Sequence, residues 1–551
     1  DWSSDVCSSD LILLALSFFT VTSCLNDLNV TPKDDDVYLT ENYMMQDNSY
    51  KELLAKAYGG LILPGNDGDG SGDIQGLRSD FTSYLRNYFT VQELPTDEAV
   101  IAWADGNLPT MNQHTWTANN EFIYGMFSRA AYQIAFHNEY LKQTTEEKVN
   151  SRGQSALWND IKVYRAEVRY LRALSFWHMM DLFGNIPFAT ENDTFGSNQF
   201  PPQKDRAFVF DYLIKELNDI ESILPAPKTN EYGRADKAAV WMLKAKLYQN
   251  ASVYINQNKN TEAITELNKI INSGVYSLSE DYKNLFRADN NTNGAQNEVI
   301  FPIIHDGKNI RANGGVTYIM HASIGGKMNA SDYGLNGGWY GLRAKRQLVE
   351  KFADNDMNII DPRGSFYTND QSLDVTTIGN FNHGYAVTKY TNKKSKKVLN
   401  DANNPSAGYY FTDGDSGQDT QFGDTDFPMF RLADVYLMYA ESVLRGGSGG
   451  DINTALTYIK ALRTRAKAST SLTASDITLS FILDERAREL HWECHRRTDL
   501  IRYGLFTGGS YIWQWKGGSK DGTSIDSKYN LYPIPNLAIS GNPTLIQNSG
   551  Y

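Results

Sequence analysis

The stretch Ile161–Phe183, IKVYRAEVRYLRALSFWHMMDLF, decides the fold. Val163, Ala166, Tyr170, Leu171, Leu174, Trp177 and Leu182 recur at helical spacing, and Arg165, Glu167, Arg169 and Arg172 lie between them. That pattern predicts a long helix with an apolar face against a core. Gly184-Asn185-Ile186-Pro187 should stop it, since glycine suits a helix C-terminus and proline cannot continue one. Outward from this segment the same period recurs at Phe208–Leu224, Ala235–Gln257 and Asn260–Asn272, the last ending at Gly274, and upstream at Ser49–Leu61 before a Gly/Asp-rich loop, Gly65–Gly72. The helices come in pairs. Ala238, Leu243, Ala245 and Tyr248 precede a break and then Ala263, Leu267 and Ile270, and Phe430–Leu444 meets Ile452–Arg465 across Gly446–Gly450. Small residues let paired helices approach closely, so the expectation is a mostly α fold built on tetratricopeptide-like helical repeats. Phe301–Trp339 and Tyr367–Thr425 carry little helical period and read as long loop-rich insertions, the kind of segment that carries function.

The N-terminal region has a different character. The apolar run Leu11–Val21 is roughly half the length a membrane-spanning helix needs and leads through Val21-Thr22-Ser23 to Cys24. This resembles a bacterial lipobox: small residues admit a signal peptidase, and the acylated thiol becomes a membrane-anchored N-terminus. Residues 1–23 are therefore expected to be a signal peptide. Within it DWSSDVCSSD (1–10), which lacks an initiator methionine and a basic region, reads as a non-native leader. Residues 24–48, including the acidic Asn26–Asp36, read as a lipidated tether.

A formal net charge of −13 and a pI near 5.2 argue against nucleic acid as a partner, which would call for a basic stripe. Setting aside Cys7 in the leader and Cys24 at the anchor, only Cys494 remains, so no intramolecular disulfide is expected. The 33 Tyr, 25 Phe and 10 Trp suit a surface that grips sugars, because Tyr and Trp join a flat apolar body to a polar edge.

Three constellations carry possible chemistry. Asp97-Glu98 is a carboxylate pair of the kind a glycosidase uses, but adjacent side chains diverge, and Thr96-Asp97 after Pro95 reads better as turn and capping chemistry. His491, Glu493, Cys494 and His495 offer two imidazoles at helical spacing, yet Trp492 stands where a zinc-protease motif needs Glu, and Arg496-Arg497 oppose a cation. Glu489, Glu493, Arg496, Asp499 and Arg502 instead read as an ion-pair seam along one helix. Asp289-x-Asn291-x-Asn293-Gly294 resembles the opening of a calcium loop, with Glu298 as its terminal ligand, so a structural Ca2+ is an expectation here and no other cofactor is required. No phosphate loop, dinucleotide fingerprint or Ser/His/Asp signature stands at usable spacing.

Several dispersed motifs, taken in order, resemble the SusD/RagB family of outer-membrane nutrient-binding lipoproteins. They are Gln92-Glu93-Leu94-Pro95-Thr96-Asp97-Glu98 with Trp103, Arg169–Leu174 running to Phe183-Gly184-Asn185-Ile186-Pro187, and Gly233–Lys237. Asp426-Phe427-Pro428, Phe430–Asp434, Arg488-Glu489-Leu490, Asp499–Arg502 and Tyr532-Pro533-Ile534-Pro535 complete the set. The resemblance implies an N-terminal helical region over 49–290, a C-terminal family region over 291–551, and loops forming a shallow glycan-binding face. It further implies a non-enzymatic protein held to the outer membrane, facing the cell exterior, that captures oligosaccharides and delivers them to a SusC-like TonB-dependent transporter. By similarity to the family's starch-binding founder, Trp103 matches a stacking position, and Arg86 and Tyr318 match polar partners of the sugar. Asn107 is an approximate match in a shortened loop, while Ile101 replaces a second stacking aromatic. Trp339, in Asn336-Gly337-Gly338-Trp339-Tyr340, reads equally as a further platform or a buried turn. An exported glycan-active hydrolase, and an adhesin or peptide receptor on the same scaffold, are the alternatives.

Overall fold

The computed structural model describes residues 40–65, 72–74, 77, 83–193 and 199–551. Cys24, the signal segment, most of the tether and most of the Gly65–Gly72 loop lie outside the described residues. Asp1–Glu52 forms one compact unit, whose described part holds the short helix Thr40–Met44, and Leu53–Tyr551 forms a second.

The principal helices are α1 (Ser49–Gly59), α2 (Tyr84–Glu93), α3 (Glu121–Gln143), α4 (Trp158–Phe183), α5 (Arg206–Glu221) and α6 (Lys237–Gln249). They continue with α7 (Asn260–Asn272), α8 (Gly315–Ser323), α9 (Leu432–Leu444), α10 (Ile452–Arg465), α11 (Leu479–Leu490) and α12 (Arg496–Arg502). From α2 to α7 each helix packs against the next, α7 packs on α9, and α9 packs on α10 and α11. This serial neighbour packing makes the molecule a mostly α, tetratricopeptide-like array. Helices α7 and α9, on either side of position 290/291, pack together.

Caps set where the helices start. Asn120 accepts from the N–H groups of Phe122 and Ile123 at the head of α3, Asp236 from those of Ala238 and Ala239 in α6, and Asp451 from those of Asn453 and Thr454 in α10. At the end of α4, Gly184 adopts φ 76° and donates to Met180 O at 3.1 Å, the stop expected of it. The second half of α4 departs from a one-sided helix. Every residue from Tyr170 to Phe183 is buried, because neighbours cover it from several sides. Arg172 is tolerated there, 1% exposed, since it pairs with Glu191 and Glu216.

The departures from the sequence reading have physical causes. Phe430 and Arg431, read as helical, belong to a buried strand. In chain order the strands that matter are β1 (Val100–Ile101), β2 (Val299–Ile303), β3 (Leu342–Arg343), β4 (Lys393–Leu399), β5 (Tyr409–Ser416) and β6 (Phe427–Arg431). β6 pairs antiparallel with β2, Phe430 opposite Phe301 and Arg431 opposite Val299, and β4 pairs with β5 in a hairpin. Helix α8 lies inside a section expected to be loop. All its residues are buried, so it has no polar face to give the periodic signal.

The expected single-helix seam is corrected. Trp492 and Cys494 take φ of 61° and 65°, breaking the chain into a corner between α11 and α12. Asp499 and Arg502 pair within α12 as the spacing predicts, but the other charged residues pair between elements. Arg431 bonds Glu298, Glu489 and Glu493, and Arg363 bonds Asp361, Glu485 and Glu489. Arg502 bonds Glu441 and Asp499, and Arg496 bonds Asp97. Cys494 is a buried free thiol.

Candidate functional site

Strand pairing builds the site. β1 and β3 pair antiparallel, Val100 opposite Arg343 and Ile101 opposite Leu342. The pairing continues outward as Ala102 N donates to Gly341 O at 2.9 Å and Trp103 Nε1 donates to Tyr340 O at 2.5 Å. Trp103 is thereby laid beside the segment Trp339-Tyr340-Gly341. Gly341 has φ 118°, and an added Cβ would stand 2.8 Å from Trp103 Nε1, so no side chain fits between the indole and that backbone.

The rings converge on one cation. Arg86, on α2, is 6% exposed, with its guanidinium carbon 4.4 Å from the Tyr318 ring centre, 5.9 Å from Trp339 and 6.0 Å from Trp103. Its Nη1 donates to Asn313 O at 3.2 Å. Trp103 meets Tyr318 edge-on at 6.0 Å and Trp339 at 6.3 Å with their planes 53° apart. Trp339 stacks on His321 at 4.9 Å, and its backbone N–H donates to His321 O at 2.6 Å. His321 is kept neutral-leaning by burial, which lowers its pKa, and its Nε2 engages Gln421 O at 2.9 Å. Trp103 and Trp339 are partly buried, packed against the core without being enclosed by it.

The depth of the other residues sorts them. Tyr318, in α8, is 1% exposed, and burial pushes its phenol up to about 12. Together with Arg86 it forms the floor beneath the two indoles.

The pattern of the SusD family matches residues 297–551. The starch-binding protein SusD of Bacteroides thetaiotaomicron is 32% identical, over 98% of this chain and 98% of that one. The chain belongs to the SusD family. A SusD-like protein of Formosa agariphila is 27% identical over 73% of this chain and 76% of that one. Among solved structures, surface glycan-binding protein A from Bacteroides thetaiotaomicron in complex with laminarihexaose superposes with a TM-score of 0.64 at 20% identity. That superposition covers 91% of this chain and 99% of the other, a likeness of fold.

Within this SusD-family chain the remaining sequence candidates separate. Asn107 donates through Nδ2 to Asn119 O at 3.0 Å, and its carbonyl accepts from Thr110 and Asn120, so it ties down the turn before α3. Ile101 is fully buried in β1 and faces the core. Tyr340 was quoted in the sequence but not singled out. Its hydroxyl donates to Asn382 Oδ1 at 2.7 Å and accepts from Gln371 at 3.2 Å. Phe381, 37% exposed, was missed altogether. The one clue was a large apolar residue in an otherwise polar loop, Gly379-Asn-Phe-Asn-His-Gly384.

The calcium expectation is corrected. Glu298 is fully buried and gives its oxygens to Arg431, Arg465 and the N–H of Ser279, each at 2.8 Å. Asp289 accepts from Ser395 N at 2.9 Å and Ser395 Oγ at 2.7 Å, and Asn293 Oδ1 accepts from Ala295 N. Asn291 is exposed. The Asp-x-Asn-x-Asn-Gly turn thus anchors β4, and its terminal acid belongs to the buried ion cluster. Among the described residues no group of three or more His, Cys, Asp or Glu could hold a metal ion.

Asp97 and Glu98 do not reach the surface. Asp97 is clamped by Arg496 through two bonds of 2.7 Å and by Tyr511 at 2.6 Å. Burial alone would raise its carboxyl, but Arg496 overrides this and holds it well below the usual range. Glu98 accepts from Trp492 N at 3.2 Å, and burial, with Asp97 adding to it against Arg496, pushes it up to about 7. A carboxylate pair enclosed this way has no opening to a glycosidic bond.

Proposed function

We propose that this protein is a cell-surface lipoprotein that captures glycans and delivers them to a TonB-dependent, SusC-like transporter without acting on them chemically. The observation that carries the reading is the pair of half-exposed indoles, Trp103 and Trp339, meeting over the buried Arg86–Tyr318 floor. An indole offers its face to the apolar C–H face of a pyranose, and stacking of this kind is worth ~1–3 kcal/mol per ring by analogy with bases on aromatics. Arg86 and Tyr318 fix the tilt of the rings. A platform held this way binds by preorganised surface and releases readily, which suits transfer to a second protein.

Membership of the SusD family supports glycan capture, as does the starch-binding role of the Bacteroides thetaiotaomicron relative. Enclosure of Asp97 and Glu98 speaks for binding over hydrolysis. No helix among the described residues is long and apolar enough to cross a membrane. Attachment is assigned to acylation of Cys24, where two or more acyl chains give the stable hold that one chain does not. Cys24→Ala should move the protein from the membrane to the soluble fraction. A variant that fractionates with membranes as wild type does would remove the anchor.

The function itself is tested by passing the soluble protein, truncated before Leu25, through affinity gels carrying a panel of polysaccharides. Retardation by at least one polysaccharide is expected, without any release of reducing ends. Migration unaffected by every polysaccharide would overturn it.

A further inference from the structure

We propose that Phe381 forms an additional sugar subsite adjoining Trp103, so that the site takes an oligosaccharide extended along Trp339, Trp103 and Phe381 rather than a single terminal sugar. This rests on the reading of Trp103 and Trp339 as a glycan platform. A lone exposed phenylalanine would carry nothing, since single apolar residues are common on surfaces. Here the structure spends specific bonds to hold this one in place.

Phe381 comes from the polar loop 376–383, and that loop is latched at the ring itself. Buried Arg343 donates through Nε to Phe381 O at 2.8 Å, and Tyr340 donates to Asn382 Oδ1 at 2.7 Å. Arg343 also lies over the Tyr340 ring, 3.6 Å from its centre, which presses that ring between the strand and the loop. Inside the loop, His383 Nδ1 accepts from Thr377 N at 3.1 Å, and Asn380 Oδ1 accepts from Asn382 N at 3.0 Å. The backbone on either side of the ring is therefore tied.

The latch sets Phe381 against the platform. An added Cβ at Gly341 would stand 2.8 Å from Trp103 Nε1 and 3.2 Å from Phe381 Cε1, so the indole and the phenyl ring meet over the same bare Cα. On its other side Phe381 lies 5.8 Å from Tyr340, with the planes 39° apart. Tyr340 has both its hydroxyl and a ring face engaged and serves as the buttress. Phe381 is 37% exposed, and the exposed Asn382 beside it, its Oδ1 taken by Tyr340, has Nδ2 to donate to a sugar hydroxyl. An apolar face with a neighbouring amide donor is the chemistry of a pyranose subsite.

The test uses calorimetric titration of wild type, Trp103→Ala, Phe381→Ala and Phe381→Trp with two probe sets, maltooligosaccharides and laminarioligosaccharides, each from disaccharide to heptasaccharide. Phe381→Ala should leave binding of the shortest bound members within about twofold and weaken the longest by about tenfold, or about 1.4 kcal/mol. Its affinity should then stop rising with chain length while wild type continues to gain. Phe381→Trp should keep or raise the gain for long chains, which a merely structural role for the loop would not produce. Phe381→Ala indistinguishable from wild type at every length, with Trp103→Ala weakened, would overturn the subsite and leave the platform standing. Wild type binding neither set would overturn the subsite as stated, whereas the platform reading falls only if no polysaccharide of the panel retards the wild-type protein.

Discussion

Residue by residue, what the sequence conveys is chemical type, and what it hides is depth. Trp103 and Arg86 could be named from their motif, but only burial separates the half-open indole from the enclosed guanidinium. Tyr318 shows the same limit: a phenol expected to bond sugar hydroxyls is instead 1% exposed beneath two rings. Glu98 gives the sharpest residue-scale test. Its folded pKa is pushed up from 4.5 to about 7, chiefly by burial. Between those values the unfolded chain gives up its proton while the folded chain keeps it, so stability falls as pH rises through that window and levels off above it. Glu98→Gln should therefore gain stability relative to wild type from pH 5 to pH 8, by at most about 1.4 kcal/mol for each unit inside the window. Melting curves at both pH values check this. A difference between variant and wild type that does not change with pH would mean Glu98 is ionised throughout.

At the scale of elements, legibility followed exposure except in α4, whose buried second half still shows helical spacing because Arg172 is held there in ion pairs. Helices α7 and α10, each with one wet face, have the boundaries their spacing predicts, Asn260–Asn272 and Ile452–Arg465. Helix α8 and strand β6 were not legible because they are buried on all sides, which erases the periodic signal. The corner between α11 and α12 was misread for a related reason: its charges have helical spacing, but apart from Asp499 with Arg502 their partners come from elsewhere in the chain. Arg431, brought in by β6, is 1% exposed and neutralises Glu298, Glu489 and Glu493. Removing one partner from such a cluster strands buried charge, so Arg431→Met should cost about 3–5 kcal/mol of stability. Chemical denaturation checks the figure. A loss below about 1 kcal/mol would show that Lys389, Arg363 and Arg465 hold those carboxylates without it.

For the whole molecule, the array of paired helices was readable because each pair repeats the same small and large residues, and the family resemblance covers nearly the full chain. The site was only half readable, because it is assembled from five separated segments: Arg86 on α2, Trp103 after β1, Tyr318 on α8, Trp339 and Tyr340 before β3, and Phe381 on a distant loop. No local pattern announces that these meet. It takes the pairing of Val100 with Arg343 to bring them together. The central claim is that this meeting of rings is a glycan platform. It is tested most directly by titrating wild type and Trp103→Ala with a polysaccharide that retards the wild-type protein, while circular dichroism confirms that the variant keeps its helical fold. The account predicts a loss of ~1–3 kcal/mol, roughly a five- to 150-fold weaker affinity. Equal affinity of a folded Trp103→Ala variant and wild type would contradict it.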